Sequence, residues 1–304
     1  MFHHLKVPAS QQLLTVMLLL MARPLLAQEI EPRAFSNAPI GTHFLVAGVA
    51  YSAGALATDP SLPLTAAKLD VITAVLAYAH VFEVNGQSGK FDLILPYSDL
   101  DGSALLNGTA VSRDVTGMGD ARLRLSANFY GSPALNPAQF SGYQQDLILG
   151  ASLQLGLPNG QYDANRLINI GTNRWSLRPE LGASQALGNW TWEVAGGATF
   201  YSDNNAFYGG KTRAQAPVYA IRSHLIYGFS RGLWASVDGS YYHGGQTEID
   251  GVAKDDHQRN WRSGLTLTVP LTLQHSLKGY ASRGVSARTG NNYDLLGLLW
   301  QYRW

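Results

Sequence analysis

Long runs of alternating apolar and polar residues dominate this chain, and alternation of that length leaves few folds open. In "ARLRLSANF", Ala121, Leu123, Leu125, Ala127 and Phe129 take one face, and Arg122, Arg124, Ser126 and Asn128 take the other. "DLILGASLQL" sets Leu147, Leu149, Ala151, Leu153 and Leu155 against Asp146, Gly150, Ser152 and Gln154. A period of two marks a strand with one apolar and one wet face. About twelve such segments follow one another, near 41–52, 69–83, 89–99, 119–130, 143–157, 173–187, 190–202, 215–229, 232–243, 258–271, 276–288 and 292–304. Most reach the 9–11 residues of a tilted membrane strand, whereas strands in soluble domains run to ~5–6.

The connections follow a second pattern. Those after segments two, six, eight and ten are short ("NGQSG", "GN", "SRG", "TLQHS"), and those after one, three, five, seven and nine are long. Short turns on one side and long loops on the other are the habit of outer-membrane barrels. Two joints depart from it: "GSPALNPAQFSG" is long for its side and "TGN" is short. The reading is an all-β, up-and-down antiparallel transmembrane barrel with short periplasmic turns and longer extracellular loops. The alternative, a secreted β-sandwich, needs shorter strands and a turn every 8–12 residues.

Composition agrees. Charged residues are 14% of the chain, against roughly 25% in soluble domains. The opening "MFHHLKVPASQQLLTVMLLLMARPLLAQ" carries a basic residue, an apolar stretch and Ala27 before Gln28, and reads as a signal peptide over 1–27. Beyond it no apolar stretch approaches the length of a membrane helix, so a membrane location requires a closed barrel. Residues 28–40, with Pro32 and Pro39, form either a periplasmic lead-in or a segment tucked inside, and the barrel occupies 41–304. Net charge is +1 and cysteine is absent, which gives no argument for nucleic acid and removes thiolate chemistry.

Charges sort onto the polar faces: Arg122, Arg124, Arg174, Arg178, Glu180, Glu193, Arg222, His224, Asp238, Arg262 and Arg303. On the lipid face each Arg would cost ~2–4 kcal/mol at the midplane, so these residues mark the lumen. They either pair across it and satisfy one another or face a solute, where an excess of Arg would favour anions. Aromatics cluster near segment ends. Trp190, Trp192, Phe229, Trp234, Tyr241, Trp300, Tyr302 and Trp304 are expected at the membrane interfaces. The terminal "LLGLLWQYRW" places Trp300, Tyr302 and Trp304 toward lipid, while Leu295 and Leu299 share the inward face without an evident reason.

Catalytic motifs fail on context. "GFSRG" (Gly228–Gly232) has the spacing of a nucleophile elbow, but Ser230 falls in a tight turn between strands rather than between strand and helix. "YGGKT" ends like a phosphate loop but has Asn205 where the first Gly belongs. The His residues are scattered and suggest no metal or cofactor. A lipid-hydrolase reading lacks a Ser–His–Asn set at a defined spacing.

Several runs resemble an outer-membrane barrel family named for the MetA pathway of phenol degradation: "EPRAFSNAPIGTHFLVAGVAYS", "GMGDARLRLSANFYGSPAL", "LGLPNGQYDANRLINIGTNRWSLRPELGASQALGNWTWE", "DNNAFYGG" and "LWQYRW". The resemblance spans essentially the whole mature chain. It implies a transporter for small molecules, with aromatic compounds as candidates, and supplies no catalytic residues. It also implies that the aromatic C-terminal strand is read by the outer-membrane assembly machinery. The expectation is a non-enzymatic outer-membrane channel in contact with lipid and a small solute, of undetermined oligomeric state. The rival is a non-conducting structural or adhesive barrel.

Overall fold

A computed structural model describes residues 31–57, 64–106 and 108–304. The signal-peptide assignment lies outside them. Alternating residues produce alternating burial: along β15 (Gln258–Pro270) every second side chain from Asn260 to Thr268 is buried and the intervening ones are exposed. Along β15 the apolar residues Leu265, Leu267 and Val269 are on the exposed side. Leu181, Val237 and Leu265 are each 60% exposed or more, on the face that lipid covers.

The wall is built from β1 (His43–Ala57), β2 (Leu64–Val84), β3 (Gln87–Leu106), β4 (Thr109–Met118), β5 (Arg122–Tyr130), β6 (Leu147–Gly156), β7 (Ser176–Leu187), β8 (Trp190–Tyr201), β11 (Val218–Ser230), β12 (Leu233–Gly244), β15, β16 (His275–Ser286) and β17 (Gly290–Arg303). Each pairs antiparallel with its neighbours, and β1 pairs with both β2 and β17, so the sheet closes. β4 and β5 lie end to end along β3 and form one interrupted strand, which gives twelve. The break falls at Gly119–Ala121, where Gly119 N–H donates to the Pro96 carbonyl at 2.9 Å.

Three departures from the sequence reading have local causes. The third connection is not a loop: β2, β3 and β4 run on together beyond the rest of the wall, pairing as far as Leu64↔Leu106 and Leu106↔Thr109. Polar residues on both faces of 101–114 hide the alternation there. Two other long connections fold into hairpins, β9 (Asn204–Phe207) with β10 (Lys211–Gln215) and β13 (Thr247–Ile249) with β14 (Val252–Ala253). β10 pairs with β13, so the hairpins join into a small extracellular sheet. Such strands are too short to show a period. The long fourth connection carries one helical turn, α1 (Pro137–Phe140), closed by an Asn136/Gln139 capping box.

Leu181 lies on the lipid-facing side midway along β7, which gives a test. Leu181, opposite Ala151 and Gly196, changed to Arg should cost about 2–4 kcal/mol of folding free energy. Reversible unfolding in lipid vesicles measures it; a loss below 1 kcal/mol, the near-interface range, would contradict this depth.

Candidate functional site: the lumen

The inward faces form two unlike walls. On one, strand register places acids and bases together. Asp92 on β3 stands directly opposite Arg124 on β5, which donates to it at 2.9 Å, and Lys90 approaches the same carboxylate at 3.6 Å. Arg222 on β11 pairs with Glu180 on β7 across the whole width of β8. That reach is open because β8 presents Ala195 opposite Arg222 and Gly197 opposite Glu180. His224 Nδ1 lies 2.7 Å from Asp238, which also accepts from Ser236 and Thr266, each at 2.9 Å. Arg178 donates to Gln154 at 3.0 Å. Arg262 donates to the Tyr293 carbonyl and Ser282 and lies over the Tyr293 ring at 3.6 Å. Unpaired charge in so confined a space is costly, so Arg124 and Arg222 are held by acids rather than offered as free positive charge.

The other wall is apolar. Ala50, Leu69, Val71, Leu100, Val115, Tyr293 and Leu295 form one buried cluster inside the barrel. This accounts for Leu295, whose strand has apolar residues on both faces because its inward face belongs to this wall. Leu299 continues the wall and covers Gly48 so closely that a Cβ there would overlap it.

Three segments enter the lumen. The first is 31–42, inside the barrel. Glu31 pairs with Arg124, Ala34 N–H donates to Glu193 at 3.0 Å, and Arg33 lies over Trp234 at 5.1 Å. Phe35, only 2% exposed, rests on Gly150 and Gly182, which face each other across β6 and β7. A Cβ at either would collide with its ring. The second is the fourth connection, which holds this strap from below: Asn37 donates to the Pro133 carbonyl at 3.1 Å and Ile40 N–H to that of Leu135 at 2.9 Å. The third is the loop 157–175, which bends inward at the extracellular mouth. Asp120, at the β4–β5 break, accepts from the Gly160 and Thr172 amides at 2.9 and 2.8 Å. Ile168 and Ile170 then pack on the apolar cluster. Asp120 was not among the sequence candidates, because a residue at a strand break belongs to neither face.

A cavity of about 1680 Å³ remains. It runs from Trp234, Leu273 and Arg303 at the periplasmic mouth, past Val46, Val75, Ala77 and Leu299, to Ile170 and Tyr201 at the other. Of the charged candidates, Arg122 and Arg124 line it, Arg303 lies exposed at its rim and donates to the Leu273 carbonyl at 2.7 Å, and Arg174 is buried in the loops. Among the aromatics, Trp190, Trp192, Phe229 and Trp304 are exposed on the outer surface, and Tyr241 packs outward against Trp261 in a tilted contact at 4.6 Å. Trp300 and Tyr302 join His275 and Trp304 in an outer stack. Trp234 is a correction. It shares a face with the buried Ser236, Asp238 and Ser240 and points into the lumen; nearness to a strand end placed it at the interface, and parity overrules that. Ser230 ends β11 at a strand–turn–strand joint, and Gly209 and Gly210 form the β9–β10 turn. Among the described residues no three His, Asp or Glu group as a metal site.

A closed twelve-stranded barrel with an apolar outer face and an internal lumen has the architecture of an outer-membrane β-barrel. The chain belongs to the family described as "Putative MetA-pathway of phenol degradation", whose model matches residues 49–301. It is similar to the COG4313 outer membrane channel from Pseudomonas putida F1, at 24% identity and TM-score 0.77, over 91% of this chain and 100% of that one. It is also similar to the transport unit of the autotransporter AIDA-I from Escherichia coli, at 8% identity and TM-score 0.52, over 90% and 93%. At these identities the likeness is one of fold. No curated protein matches the chain.

The strap responds to pH in a defined direction. Burial alone would raise the Glu31 carboxyl, but the Arg124 guanidinium, aided by Lys90 and Arg222, holds it well below the usual carboxylate range. A depressed carboxyl stabilises its contact above the ordinary value of about 4.3 and loses it as pH falls through the lowered one. The Glu31–Arg124 contact should therefore hold from neutral pH to about pH 5, and a rise in single-channel conductance that comes from its loss should appear only in stronger acid. Glu31→Gln should raise the conductance already at neutral pH; a variant trace superimposing on wild type would remove the strap's role.

Proposed function

We propose that the protein carries small, mainly apolar solutes passively across the outer membrane, along the apolar side of its lumen. The observation that carries this is the continuity of the cavity along Val46, Val75, Ala77 and Leu299, bordered by Lys278 opposite Leu299, while Arg124, Arg222 and Asp92 on the charged wall are taken up by ion pairs and by the strap. Apolar surface facing water inside a pore favours an apolar solute by roughly 25 cal/mol per Å² covered. The family's association with phenol degradation supports aromatic compounds as the class. No chemistry is needed, and Ser230 has no part in this reading.

Uptake of toluene, phenol and benzoate into proteoliposomes tests it. Val46 and Ala77 stand directly opposite each other on the inward face. Val46→Arg with Ala77→Arg should slow toluene entry by on the order of tenfold, the effect of about 1.4 kcal/mol on a barrier. Wild-type vesicles that admit none of the three solutes would favour the non-conducting barrel.

Assembly depends in this reading on the C-terminal strand, as a recognition signal for the assembly machinery. Trp304 exchanges both backbone hydrogen bonds with His43, at 3.0 and 3.2 Å, and its ring stacks on His43 at 5.3 Å. Deleting Trp304 should lower the amount of heat-modifiable barrel in outer-membrane fractions. Unchanged amounts would count against the signal.

A further inference from the structure

At the extracellular mouth two cations, Arg174 and Arg213, stand near enough for the charge of one to act on the other. Arg174 stands two residues before the start of β7 and is 9% exposed. Its guanidinium lies over the Tyr201 ring at 4.1 Å, and Nη2 donates to Gln215 at 2.6 Å. Nη1 is buried and meets no acceptor. Gln215 and Arg213 are two residues apart on β10 and so share a face, about 7 Å apart. Arg213 is half-buried, with its guanidinium over Phe207 at 5.6 Å. Neither Arg forms an ion pair among the described residues, whereas Arg124 and Arg222 in the lumen each do. Asp256 acts on Arg213 from farther off and is engaged by the Thr247 amide and hydroxyl at 2.8 and 2.6 Å, and Asp120 acts on Arg174 while it accepts from the Gly160 and Thr172 amides.

Burial, and after it the neighbouring Arg213 charge, push the Arg174 guanidinium down to about 10. The pair thus lies in a field that a negative ligand would relieve. Buried donors without acceptors are rare in folded proteins, and a buried cation beside a second one is costly. A guanidinium fork matches a carboxylate in geometry as well as charge. Each guanidinium covers one face of its ring, Arg174 on Tyr201 and Arg213 on Phe207, and the ring edges beside the forks suit a flat apolar body. Tyr201 also lines the main cavity.

We propose that Arg174 and Arg213 form a binding site for a small carboxylate, an aryl carboxylate above all, at the extracellular entrance of the lumen. The site deepens the channel reading by naming an anionic aromatic that the entrance concentrates, and it rests on that reading only for its purpose, not for its occupancy.

Calorimetric titration of the purified protein in detergent micelles tests occupancy without transport, with sodium benzoate, acetate and chloride and neutral benzyl alcohol as probes. Benzoate should bind most tightly and benzyl alcohol not at all. Arg213→Gln should weaken benzoate about tenfold or more, the loss expected of a charge-assisted hydrogen bond. Arg213→Lys, which keeps the charge and loses the fork, should fall between. Equal affinity for benzoate and chloride, equal affinity for benzoate and benzyl alcohol, or an unchanged Arg213→Gln would overturn the proposal. Benzoate flux into proteoliposomes is measured beside it. Binding without flux keeps the site and removes the channel, and flux without binding removes the site.

Discussion

Inside a bilayer no water is available to a peptide N–H or C=O, so every backbone group in the wall must find a partner within the protein. That demand makes the β1–β17 seam the contact on which the rest depends. β1 pairs with β17 from Phe44↔Arg303 to Ala57↔Gly290 and with β2 along its other edge. The seam is also braced from outside. His275, Tyr302, Trp304, His43 and His80 stack in succession, with centroids 4.8, 5.3, 5.3 and 4.4 Å apart. The last strand therefore does two things with one alternating pattern: its backbone completes the ring, and its aromatics cover the joint where first and last strands meet.

Closure forces half of every strand inward, and the inward half must then be satisfied by itself. The charged wall achieves this through register. Asp92 faces Arg124 because β3 and β5 pair where they do, and Arg222 reaches Glu180 because the strand between them presents Ala and Gly. Where strand pairing leaves a side chain short, inserted chain supplies the partner: Glu31 to Arg124, and the Ala34 amide to Glu193. Facing Gly150 and Gly182 leave an empty floor, and Phe35 fills it. The lumen is narrowed by segments that complete its polar and steric accounts, not by large side chains on the wall.

Alternation is a local property, and what was legible in the amino-acid sequence is what alternation alone determines. Twelve strands, their order and the faces of Arg222, His224 and Asp238 could be read because each depends on its own segment. Partners could not. Whether Arg222 meets Glu180 or a solute depends on register between strands far apart in sequence. Residues 31–40 carry no period, so lead-in and inserted segment looked alike. Asp120 and Arg213 sit in a strand break and a five-residue strand, where a period of two has no room to show. Trp234 misled for a different reason: position near a strand end is a weaker guide than parity, and parity was available in Ser236, Asp238 and Ser240.

The division of the lumen into two walls bears on what can pass. A uniformly charged lumen holds ordered water and favours ions, while a uniformly apolar one would fill with side chains or collapse onto itself. Here the ion pairs and the strap fix one wall and keep it from closing on the other. The apolar wall is packed where Ile168, Ile170 and Tyr280 cover it, and is left open below along Val46, Val75 and Ala77. Water against that surface has few hydrogen-bonding partners, so an apolar solute replaces it favourably. In the proposed function a solute entering from outside would first pass Tyr201 and the cationic pair behind it, then Ile170, before it met the open lane. Polar recognition at the mouth and apolar passage below would suit a molecule with one charged and one apolar end. Both follow from where the loops and the strap come to rest against the two walls.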